Sequence, residues 1–376
     1  MGNQTGVFTV RRVYIWSNGC EQRNLEKEYF RQVAIKNGDE VVTTCTKADM
    51  ALIITCCVSN VATQKAIEEI ENCIDENVNT VVYGCLPGIK REWLTDYKIH
   101  NFAVYQRDML IQDMKWKKLV PFPCLADGDI PCQSLNEKSP REKFDRVKKA
   151  KKIVIADGCL NKCAYCVIHF ATGRLMSRSI PDIVEEWNRI VEPNDCIMLM
   201  AGDTGAYGMD NGTNLPALLR ILQKQSKHAE IYLHDLNIRW MKGYLNEFCK
   251  VLQSGNKIKG MTMPIQSGSN KILCSMNRHY TAEDIRTCFN RIHGVDKTLI
   301  LGTHVIIGYP GESEKDFEET VGLLRELPLD FISCFPYSEH EKAASAKIFP
   351  KVCKELVNKR IEILASLFGR KLKIYK

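Results

Sequence analysis

The hydrophobic and polar positions of the first hundred residues follow two alternating patterns. Short apolar runs rich in Val and Ile are separated by longer stretches in which apolar residues recur every three or four positions. The first pattern predicts buried β-strands and the second predicts amphipathic helices. Strands are predicted at 13–17, 40–44, 51–55, 80–83 and 101–105, and helices at 25–36 and 62–74. This alternation predicts an α/β domain with a parallel sheet over residues 1–106.

The same alternation resumes after residue 150. Strands are predicted at 152–156, 197–200, 231–233, 260–264, 303–307 and 331–335, with helices at 180–191, 215–225 and 282–292 among others. About six strand–helix units predict a partial (β/α)6 barrel over residues 151–376. Residues 107–150 lack strong periodicity and contain four prolines, so they are predicted to be a linker. The predicted fold class is α/β, a parallel-sheet domain followed by the barrel.

The composition indicates the number of domains, the cellular location and the role of the cysteines. The chain has 376 residues, of which 45% are hydrophobic, which is enough for two domains. It has no apolar run of membrane-spanning length and no amino-terminal signal segment, so a cytoplasmic protein without a membrane partner is expected. In such a chain 17 cysteines indicate metal ligation rather than disulfides. Cys196, Cys249 and Cys334 lie in apolar segments and are expected in the core.

The net charge of +7 is compatible with a nucleic-acid partner without requiring one. The clearest basic run, residues 138–152, also contains acidic residues and a proline. This interleaving favours a solvated linker over an RNA-binding strip.

Three cysteines follow the predicted strand at 152–156 within one short loop. They are Cys159, Cys163 and Cys166, and Tyr165 precedes the third. Three thiolates at this spacing can hold a [4Fe-4S] cluster from one loop and leave one iron open, because such a cluster normally takes four cysteines. The alternative is a structural zinc site built on the Cys163–Cys166 pair. Zinc would need a second such pair downstream, and the sequence has none.

Three further cysteines each follow a predicted strand of the first domain. Cys20 follows the strand at 13–17, Cys56 the strand at 51–55, and Cys85 the strand at 80–83. The loops after parallel strands lie at one edge of the sheet, so these thiols are expected to meet there and to hold a second cluster. The alternative for each cysteine alone is a small buried residue. Cys57 is expected to point elsewhere, and the spacing of Cys124 and Cys132 matches no recognised site.

An ordered set of sequence blocks resembles the radical S-adenosylmethionine (radical SAM) methylthiotransferases over nearly the whole chain. Beside the six cysteines, the matching blocks are Ala48–Cys56, Met200–Gly208, Pro264–Ser269, Met276–Arg278, Ile307–Glu312 and Pro336–Ser338. The segment Asp203–Leu219 is most similar to the branch that acts on threonylcarbamoyladenosine in tRNA. The resemblance implies two [4Fe-4S] clusters. One SAM molecule methylates sulfide on the Cys20/Cys56/Cys85 cluster, and a second is cleaved at the other cluster to a 5′-deoxyadenosyl radical.

The resemblance also implies a set of SAM contacts. Tyr165 is expected beside the adenine, Gly202 and Asp203 at the amino group, and Gly308 and Gly311 at the adenine through their backbone. Gln266, in the Pro264–Ser269 block, is a further predicted cofactor residue. Two simpler roles stay open: the glycines could serve a turn alone, and Asp203 could cap a helix.

Several positions depart from the family pattern. Ile54 and Arg23 stand where the family usually has Asn, and Tyr232 stands where it has Arg. The segment Lys342–Ala344 replaces a Gly-Thr-Pro, and the family's carboxy-terminal RNA-binding barrel is not in this sequence. Because that domain supplies phosphate contacts in the family, a peptide or protein side chain, or another biosynthetic substrate, is expected in preference to tRNA.

Three other functions stay open beside methylthio transfer to a peptide or protein. The first is a tRNA enzyme that methylthiolates C2 of an N6-threonylcarbamoyladenosine. The second is a two-cluster radical SAM enzyme whose first-domain cluster only relays electrons, and the third is a non-enzymatic metal scaffold. By family resemblance the reductant is expected to be a flavodoxin or ferredoxin, and the protein is expected to be a monomer.

Overall fold

A computed structural model describes residues 10–57, 60–121, 142, 151–226 and 229–375. The chain divides into two compact units. The first comprises the described residues up to 121 together with 170–173, and the second comprises the remaining described residues. No helix in the described part of the chain is both long and apolar enough to cross a membrane.

The first unit is built on a parallel sheet with the order β2-β1-β3-β4-β5. Its strands are β1 (Arg12–Ser17), β2 (Glu40–Val42), β3 (Met50–Thr55), β4 (Asn79–Gly84) and β5 (His100–Ala103). Its helices are α1 (Glu21–Lys36), α2 (Asn60–Asp75), α3 (Cys85–Ile89) and α4 (Arg107–Asp113). The predicted parallel α/β architecture is confirmed, because every neighbouring pair of strands runs in the same direction.

The beginning of the segment predicted as a linker is a helix of the first unit. Leu110, Ile111 and Met114 are buried in the same core as Phe30 of α1. Just beyond them, Trp116 stacks on Phe30 and donates from Nε1 to Asp39 Oδ2 at 2.6 Å. The spacing of the three aliphatic residues places them on one helical face, a short signal that the surrounding polar residues obscure. Cys124, Cys132 and most of the basic run at 138–152 lie outside the described residues.

The second unit is built on a longer parallel sheet with the order β14-β13-β12-β11-β10-β9-β6. Its strands are β6 (Lys151–Val154), β9 (Cys196–Met200), β10 (Glu230–Leu233), β11 (Ile258–Thr262), β12 (Ile300–Ile307), β13 (Phe331–Pro336) and β14 (Leu372–Ile374). A separate antiparallel pair is formed by β7 (Ala156–Asp157) and β8 (Met176–Ser177). The six successive strands β6 and β9–β13 confirm the predicted α/β class of this unit.

Helices connect these strands and cover the sheet. They are α6 (Ile180–Ile190), α7 (Leu215–Gln223), α8 (Ile238–Gln253), α9 (Asn270–Ser275), α10 (Ala282–Val295), α11 (Glu314–Glu326) and α12 (Lys354–Phe368). The short helix α5 (Ile168–Thr172) precedes them, and most of it belongs to the first unit. Strands such as β9 are buried along their whole length, as expected of a parallel sheet covered by helices.

Two features of this unit differ from the sequence-based expectation. The strand predicted at 152–156 is interrupted at Ile155, after which the chain leaves β9 and pairs with β8. No strand is predicted from the sequence after residue 335, but Leu372–Ile374 pair with Ile332–Cys334 as an edge strand. A three-residue strand is too short to show a period, so only the pairing partner identifies it.

Candidate iron–sulfur and SAM site

The Cys159–Cys166 loop begins at a glycine that no other residue could replace without strain. Gly158 has φ 74°, and a Cβ atom there would lie 1.9 Å from the carbonyl oxygen of Arg174. The residue therefore needs both the left-handed conformation and the absence of a side chain. This turn directs the chain away from β7 into the loop that carries the three cysteines.

The loop is held in place by the segment that follows α9. The backbone N–H of Ala164 donates to Met276 O at 3.0 Å, and Asn277 Nδ2 donates to Lys162 O at 2.7 Å. Cys166 N donates to Cys163 O at 3.0 Å inside the loop itself. The Met276–Arg278 block, far away in sequence, thus fixes the backbone between the first and third cysteines.

The sulfur atoms of this loop accept hydrogen bonds from the protein. Cys159 Sγ accepts from the backbone N–H of Asn161 at 3.4 Å, and Cys163 Sγ accepts from Arg278 Nη1 at 3.2 Å. Burial raises the pKa of Cys159 to about 11 and that of Cys166 to about 12. Without a cation these thiols would stay protonated, so three sulfurs in one loop with N–H donors beside them fit ligation of an iron cluster.

Arg278 is a site residue that the sequence placed only within a matching block. It is 5% exposed, and it donates from Nη1 to Tyr165 Oη at 3.3 Å and from Nη2 to Pro264 O at 3.0 Å. Nε donates to Tyr280 Oη at 2.7 Å. One buried guanidinium therefore joins the cysteine loop to the end of β11. The available signal was the Met276–Arg278 block itself, which gave no indication of the partner.

Asp203 is saturated by donors of its own unit. Its Oδ2 accepts from Asn161 Nδ2 at 2.5 Å and from Trp240 Nε1 at 2.8 Å, while Oδ1 accepts from Gly205 N at 3.1 Å and Asn237 N at 3.2 Å. Burial raises the pKa of this carboxyl group above its ordinary value. Asp203 thus caps the short 3-10 turn Thr204–Ala206, a structural role of the kind that the sequence left open. Its contact with the SAM amino group stays a prediction.

Gly202 lies where the end of β9 approaches the cysteine loop. A Cβ atom at this position would lie 2.8 Å from Gly158 O and 3.9 Å from Cys159 Cβ. The close approach explains why this position needs glycine, and it places the predicted cofactor residue against the loop. Asn161, which donates to both Cys159 Sγ and Asp203, connects the two segments and was not predicted from the sequence.

Gln266 provides a buried acceptor at the carboxyl edge of the same sheet. Its backbone N–H donates to His304 O at 2.8 Å, and its own carbonyl accepts from Ile306 N at 2.9 Å. Within the described part of the chain, its side-chain Oε1 is buried without a hydrogen-bond partner. A buried amide oxygen of this kind fits a ligand that brings a donor, as the ribose or amino group of SAM would.

Gly308 and Gly311 form a tight turn after β12. Both have positive φ, 82° and 80°, and Gly308 N donates to Glu312 Oε2 at 2.8 Å. Gly311 N donates to Pro350 O at 2.8 Å. The turn alone therefore accounts for both glycines, and their backbone contacts with adenine stay a prediction.

The three cysteines of the first unit follow three adjacent strands. Cys20 is the N-cap of α1 after β1, Cys56 directly follows β3, and Cys85 begins α3 after β4. Gly84, with φ 115°, makes the turn into Cys85, and a Cβ atom there would lie 2.5 Å from Thr55 O. The order β1-β3-β4 in the sheet brings all three thiols to its carboxyl edge.

The charges around this set favour a thiolate at Cys20. A hydrogen bond from Cys56 and the nearby Arg23 guanidinium lower the pKa of Cys20 to about 5. Burial raises the pKa of Cys85 to about 12. Arg23, at a position where the resemblance expects Asn, is 1% exposed and pairs with Glu26 at 2.5 Å. A set of three thiols beside a buried cation fits a second cluster with one open iron.

Cys57 has a contact on α2. Its Sγ is 3.0 Å from Thr63 Oγ1 on α2, and the residue is buried. The three cysteines expected in the core from the sequence, Cys196, Cys249 and Cys334, are all buried.

Known protein families match both units. Residues 153–324 match the model of the radical SAM superfamily, and residues 12–104 match the one described as uncharacterized protein family UPF0004. A curated relative named "Probable threonylcarbamoyladenosine tRNA methylthiotransferase", from Methanocaldococcus jannaschii, is 29% identical over 361 residues, 95% of this chain and 82% of the relative. The "Threonylcarbamoyladenosine tRNA methylthiotransferase MtaB" of Aquifex aeolicus is 28% identical over 369 residues, 94% of this chain and 87% of that protein.

Two further proteins match: a relative named for a different substrate, and a protein whose structure has been solved. The "Ribosomal protein uS12 methylthiotransferase RimO" of Thermosipho melanesiensis is 27% identical over 388 residues, 96% of this chain and 86% of that protein. The solved structure of the cobalamin-dependent radical SAM enzyme OxsB matches with a TM-score of 0.54 at 13% identity. The match covers 94% of this chain and 56% of that one, and it supports the fold alone.

Proposed function

Because this chain belongs to the radical SAM methylthiotransferase family, we propose that it transfers a methylthio group to an N6-threonylcarbamoyladenosine of tRNA. The observation that carries the proposal is the pair of three-cysteine sets, one at a strand end of the second unit and one across three strand ends of the first. Each set leaves one iron of a four-iron cluster without a protein ligand.

The residues of the second unit would hold a [4Fe-4S] cluster and SAM. Cys159, Cys163 and Cys166 would ligate the iron, with Arg278 donating to the Cys163 sulfur. The buried amide oxygen of Gln266 would accept from SAM, and Tyr165 would lie beside it. Bound together, the two groups supply one-electron cleavage of SAM, which activates a C–H bond that acid–base catalysis leaves inert. The protein's own task is to position these groups and exclude water.

The residues of the first unit would hold the sulfur-carrying cluster. Cys20, Cys56 and Cys85 supply the ligands, and Arg23 places a buried positive charge beside them. A cation near several thiolates offsets part of their negative charge and favours the ligand-competent state. A cluster that only relays electrons would need no open iron. The three-cysteine set therefore favours sulfur transfer over electron relay.

The substrate proposed here replaces the sequence-based preference for a peptide. The relatives favour tRNA over that preference, because the two compared relatives named for threonylcarbamoyladenosine in tRNA reach 29% and 28% identity over at least 94% of this chain. The segment Asp203–Leu219 resembles the same branch. A ribosomal protein substrate stands as the second candidate, since the RimO relative is 27% identical over 96% of the chain. The flavodoxin- or ferredoxin-type reductant and the monomeric state stay predictions.

The test is mass spectrometry of nucleosides from tRNA incubated with the anaerobically reconstituted full chain, SAM and reductant. The tRNA should come from cells that make threonylcarbamoyladenosine but lack its methylthio derivative. We expect a methylthio mass gain on that nucleoside together with 5′-deoxyadenosine and S-adenosylhomocysteine. A parallel reaction offers the ribosomal protein uS12.

Three variants test which cysteine set serves which step of the reaction. Replacing Cys159, Cys163 and Cys166 by Ala should abolish 5′-deoxyadenosine formation. Replacing Cys20, Cys56 and Cys85 by Ala should preserve that product and abolish methylthiolation. Cys274→Ala, at an exposed cysteine of the second unit, is the matched control and should behave as the unmodified protein. A mass gain on uS12 with none on tRNA would contradict the proposed substrate, and no S-adenosylhomocysteine would contradict methylthio transfer.

A further inference from the structure

Two cysteines and a glutamate of the first unit converge outside the cluster-binding edge. Cys45 lies in the 3-10 turn Cys45–Lys47 that connects β2 to β3, while Glu69 and Cys73 lie on α2. Their two sulfur atoms and a carboxylate oxygen are all within 4.8 Å of one another. Cys45 is 5% exposed and Cys73 is fully buried, so both thiols face the protein interior.

The local sequence accounts for this convergence. Glu69 and Cys73 are four residues apart on a helix, which places them on one face about one turn from each other. The turn at Cys45 packs against that face and supplies the third group. Within this unit α2 starts beside Cys56, and Cys73 lies 13 residues beyond Asn60. At 1.5 Å per residue this is about 20 Å along the helix, so the group is separate from the Cys20/Cys56/Cys85 set.

Neighbouring side chains orient the three groups. Tyr14 Oη donates to Glu69 Oε1 at 2.9 Å, which fixes the carboxylate and leaves its other oxygen available. Asn72 Nδ2 donates to Cys45 Sγ at 3.3 Å. Hydrogen bonds of this kind to ligating groups are typical of metal sites, where they fix the direction of the ligand and stabilise its charge.

The chemistry of the group points to one class of ligand. Ordinary core cysteines pack as small apolar residues and have no need of a carboxylate beside them. Among the described residues Glu69 accepts a hydrogen bond from Tyr14 and forms no ion pair with a basic side chain. Two thiolates and a carboxylate within 4.8 Å would repel one another unless a cation lay between them.

We propose that Cys45, Glu69 and Cys73 bind a zinc ion, with water as the fourth ligand. Soft thiolates combined with one carboxylate suit zinc among the common divalent metals, and four ligands give its preferred tetrahedron. Binding releases the two thiol protons. The ion would connect the β2–β3 turn to the last turns of α2 and so stabilise the sheet edge opposite the sulfur-carrying cysteines.

The test measures zinc and iron together in the cluster-loaded full chain by elemental analysis. With the six cluster cysteines occupied by iron, we expect about one zinc per chain in addition to the iron. Glu69→Gln keeps the size and the Tyr14 hydrogen bond, and Cys73→Ser removes a thiolate. Both should lose most of the zinc and retain the iron. Glu68→Gln, at an exposed position of α2, and Cys288→Ser, buried in the second unit, are the matched controls.

Cobalt gives a second measurement that does not depend on the variants folding. Co²⁺ added to zinc-depleted, cluster-loaded protein should produce the absorption of a tetrahedral, thiolate-bound ion, and zinc should abolish it. Absence of zinc from the cluster-loaded protein, together with absence of this cobalt absorption, would overturn the proposal. A disulfide between Cys45 and Cys73 in the anaerobically purified protein, found by mass spectrometry of its peptides, would also overturn it.

Discussion

Single residues at this site act through charges and hydrogen bonds to sulfur. Arg278 is the clearest case, because one buried guanidinium contacts Cys163 Sγ, Tyr165 Oη and Pro264 O. Arginine suits this position since its planar fork reaches several acceptors at once and stays protonated when buried. Against the effect of burial, Tyr165, Tyr280 and Cys163 raise the pKa of Arg278 above its ordinary value. Its charge is therefore a permanent part of the cluster environment.

Arg278→Met should lower the midpoint potential of the second-unit cluster. Removing a positive charge and an N–H donor from Cys163 Sγ destabilises the reduced cluster more than the oxidised one. Losing hydrogen bonds of a charged group also costs about 1.5–3 kcal/mol of stability. Spectroscopic redox titration measures the potential, and Arg278→Lys should shift it less because the charge is retained.

The control is Arg286→Met, at a surface arginine with a 36% exposed side chain. It should leave the potential unchanged. Equal potentials for the Arg278→Met variant and the unmodified protein would contradict a direct interaction with the cluster.

At the scale of elements, caps and ion pairs fix the helices around the second sheet. Helix α11 begins with a capping box in which Ser313 Oγ accepts from Asp316 N at 3.3 Å and Asp316 Oδ2 accepts from Ser313 N at 2.8 Å. Lys271 Nζ and Ser269 Oγ also donate to this carboxylate. These donors, acting against its burial, hold the pKa of Asp316 well below its usual value.

Asp316→Asn should reduce stability at neutral pH by about 1–2 kcal/mol, because the neutral amide weakens the hydrogen bonds to Ser313 and removes the ion pair with Lys271. A depressed folded-state pKa means that the ionised carboxylate stabilises the fold above the unfolded-state pKa of about 3.8, and that this contribution is lost as the pH falls. The difference between variant and unmodified protein should therefore shrink below pH of about 4. Urea unfolding at several pH values measures this difference in the free energy of unfolding. A difference that grows on acidification would contradict the assignment.

A buried ion pair connects α12 to the turn after β12. Arg360 Nη1 and Glu312 Oε2 are 2.8 Å apart with side chains 1% and 0% exposed, and the same oxygen accepts from Gly308 N. Burial raises the pKa of Glu312 to about 7. Above that pH the carboxylate is charged, and Arg360→Met should then cost about 3–5 kcal/mol, since it leaves a buried carboxylate without its counter-charge. The double variant with Glu312→Gln should be less destabilised than the sum of the two single variants.

Urea unfolding of the single and double variants measures this coupling. The exposed Arg286–Glu326 pair, with side chains 36% and 54% exposed, is the control and should contribute less than about 1 kcal/mol. Strict additivity at Arg360 and Glu312 would show that the two groups do not interact.

For the whole molecule, the metal content should reflect two separate cysteine sets. Anaerobic reconstitution should give about eight irons per chain, four from each cluster. The Cys20, Cys56 and Cys85 triple alanine variant should retain about half of the iron and still cleave SAM. Iron analysis and the spectra of the reduced protein measure this. An unchanged iron content in that variant would exclude the first-unit cysteines as ligands.

What the sequence by itself determined is the set of local patterns: the alternation of strands and helices, the Cys159–Cys166 motif and the residues that follow each strand. These patterns are local because period and spacing arise from the backbone geometry of a single segment. Because each of Cys20, Cys56 and Cys85 follows a predicted parallel strand, the sequence also predicted that the three residues meet at one edge of the sheet. The relation to the radical SAM methylthiotransferases likewise followed from ordered sequence blocks.

Only the tertiary structure decided which distant side chains meet. Arg278 reaches Cys163 across 115 positions, Asp203 is enclosed by donors from three segments, and Cys45 meets Glu69 and Cys73. The helix at Arg107–Asp113 and the edge strand at Leu372–Ile374 were missed for the same reason. Short segments and single polar residues carry little periodic signal, so their place is set by the free energy of packing and hydrogen bonding with partners far away in the chain.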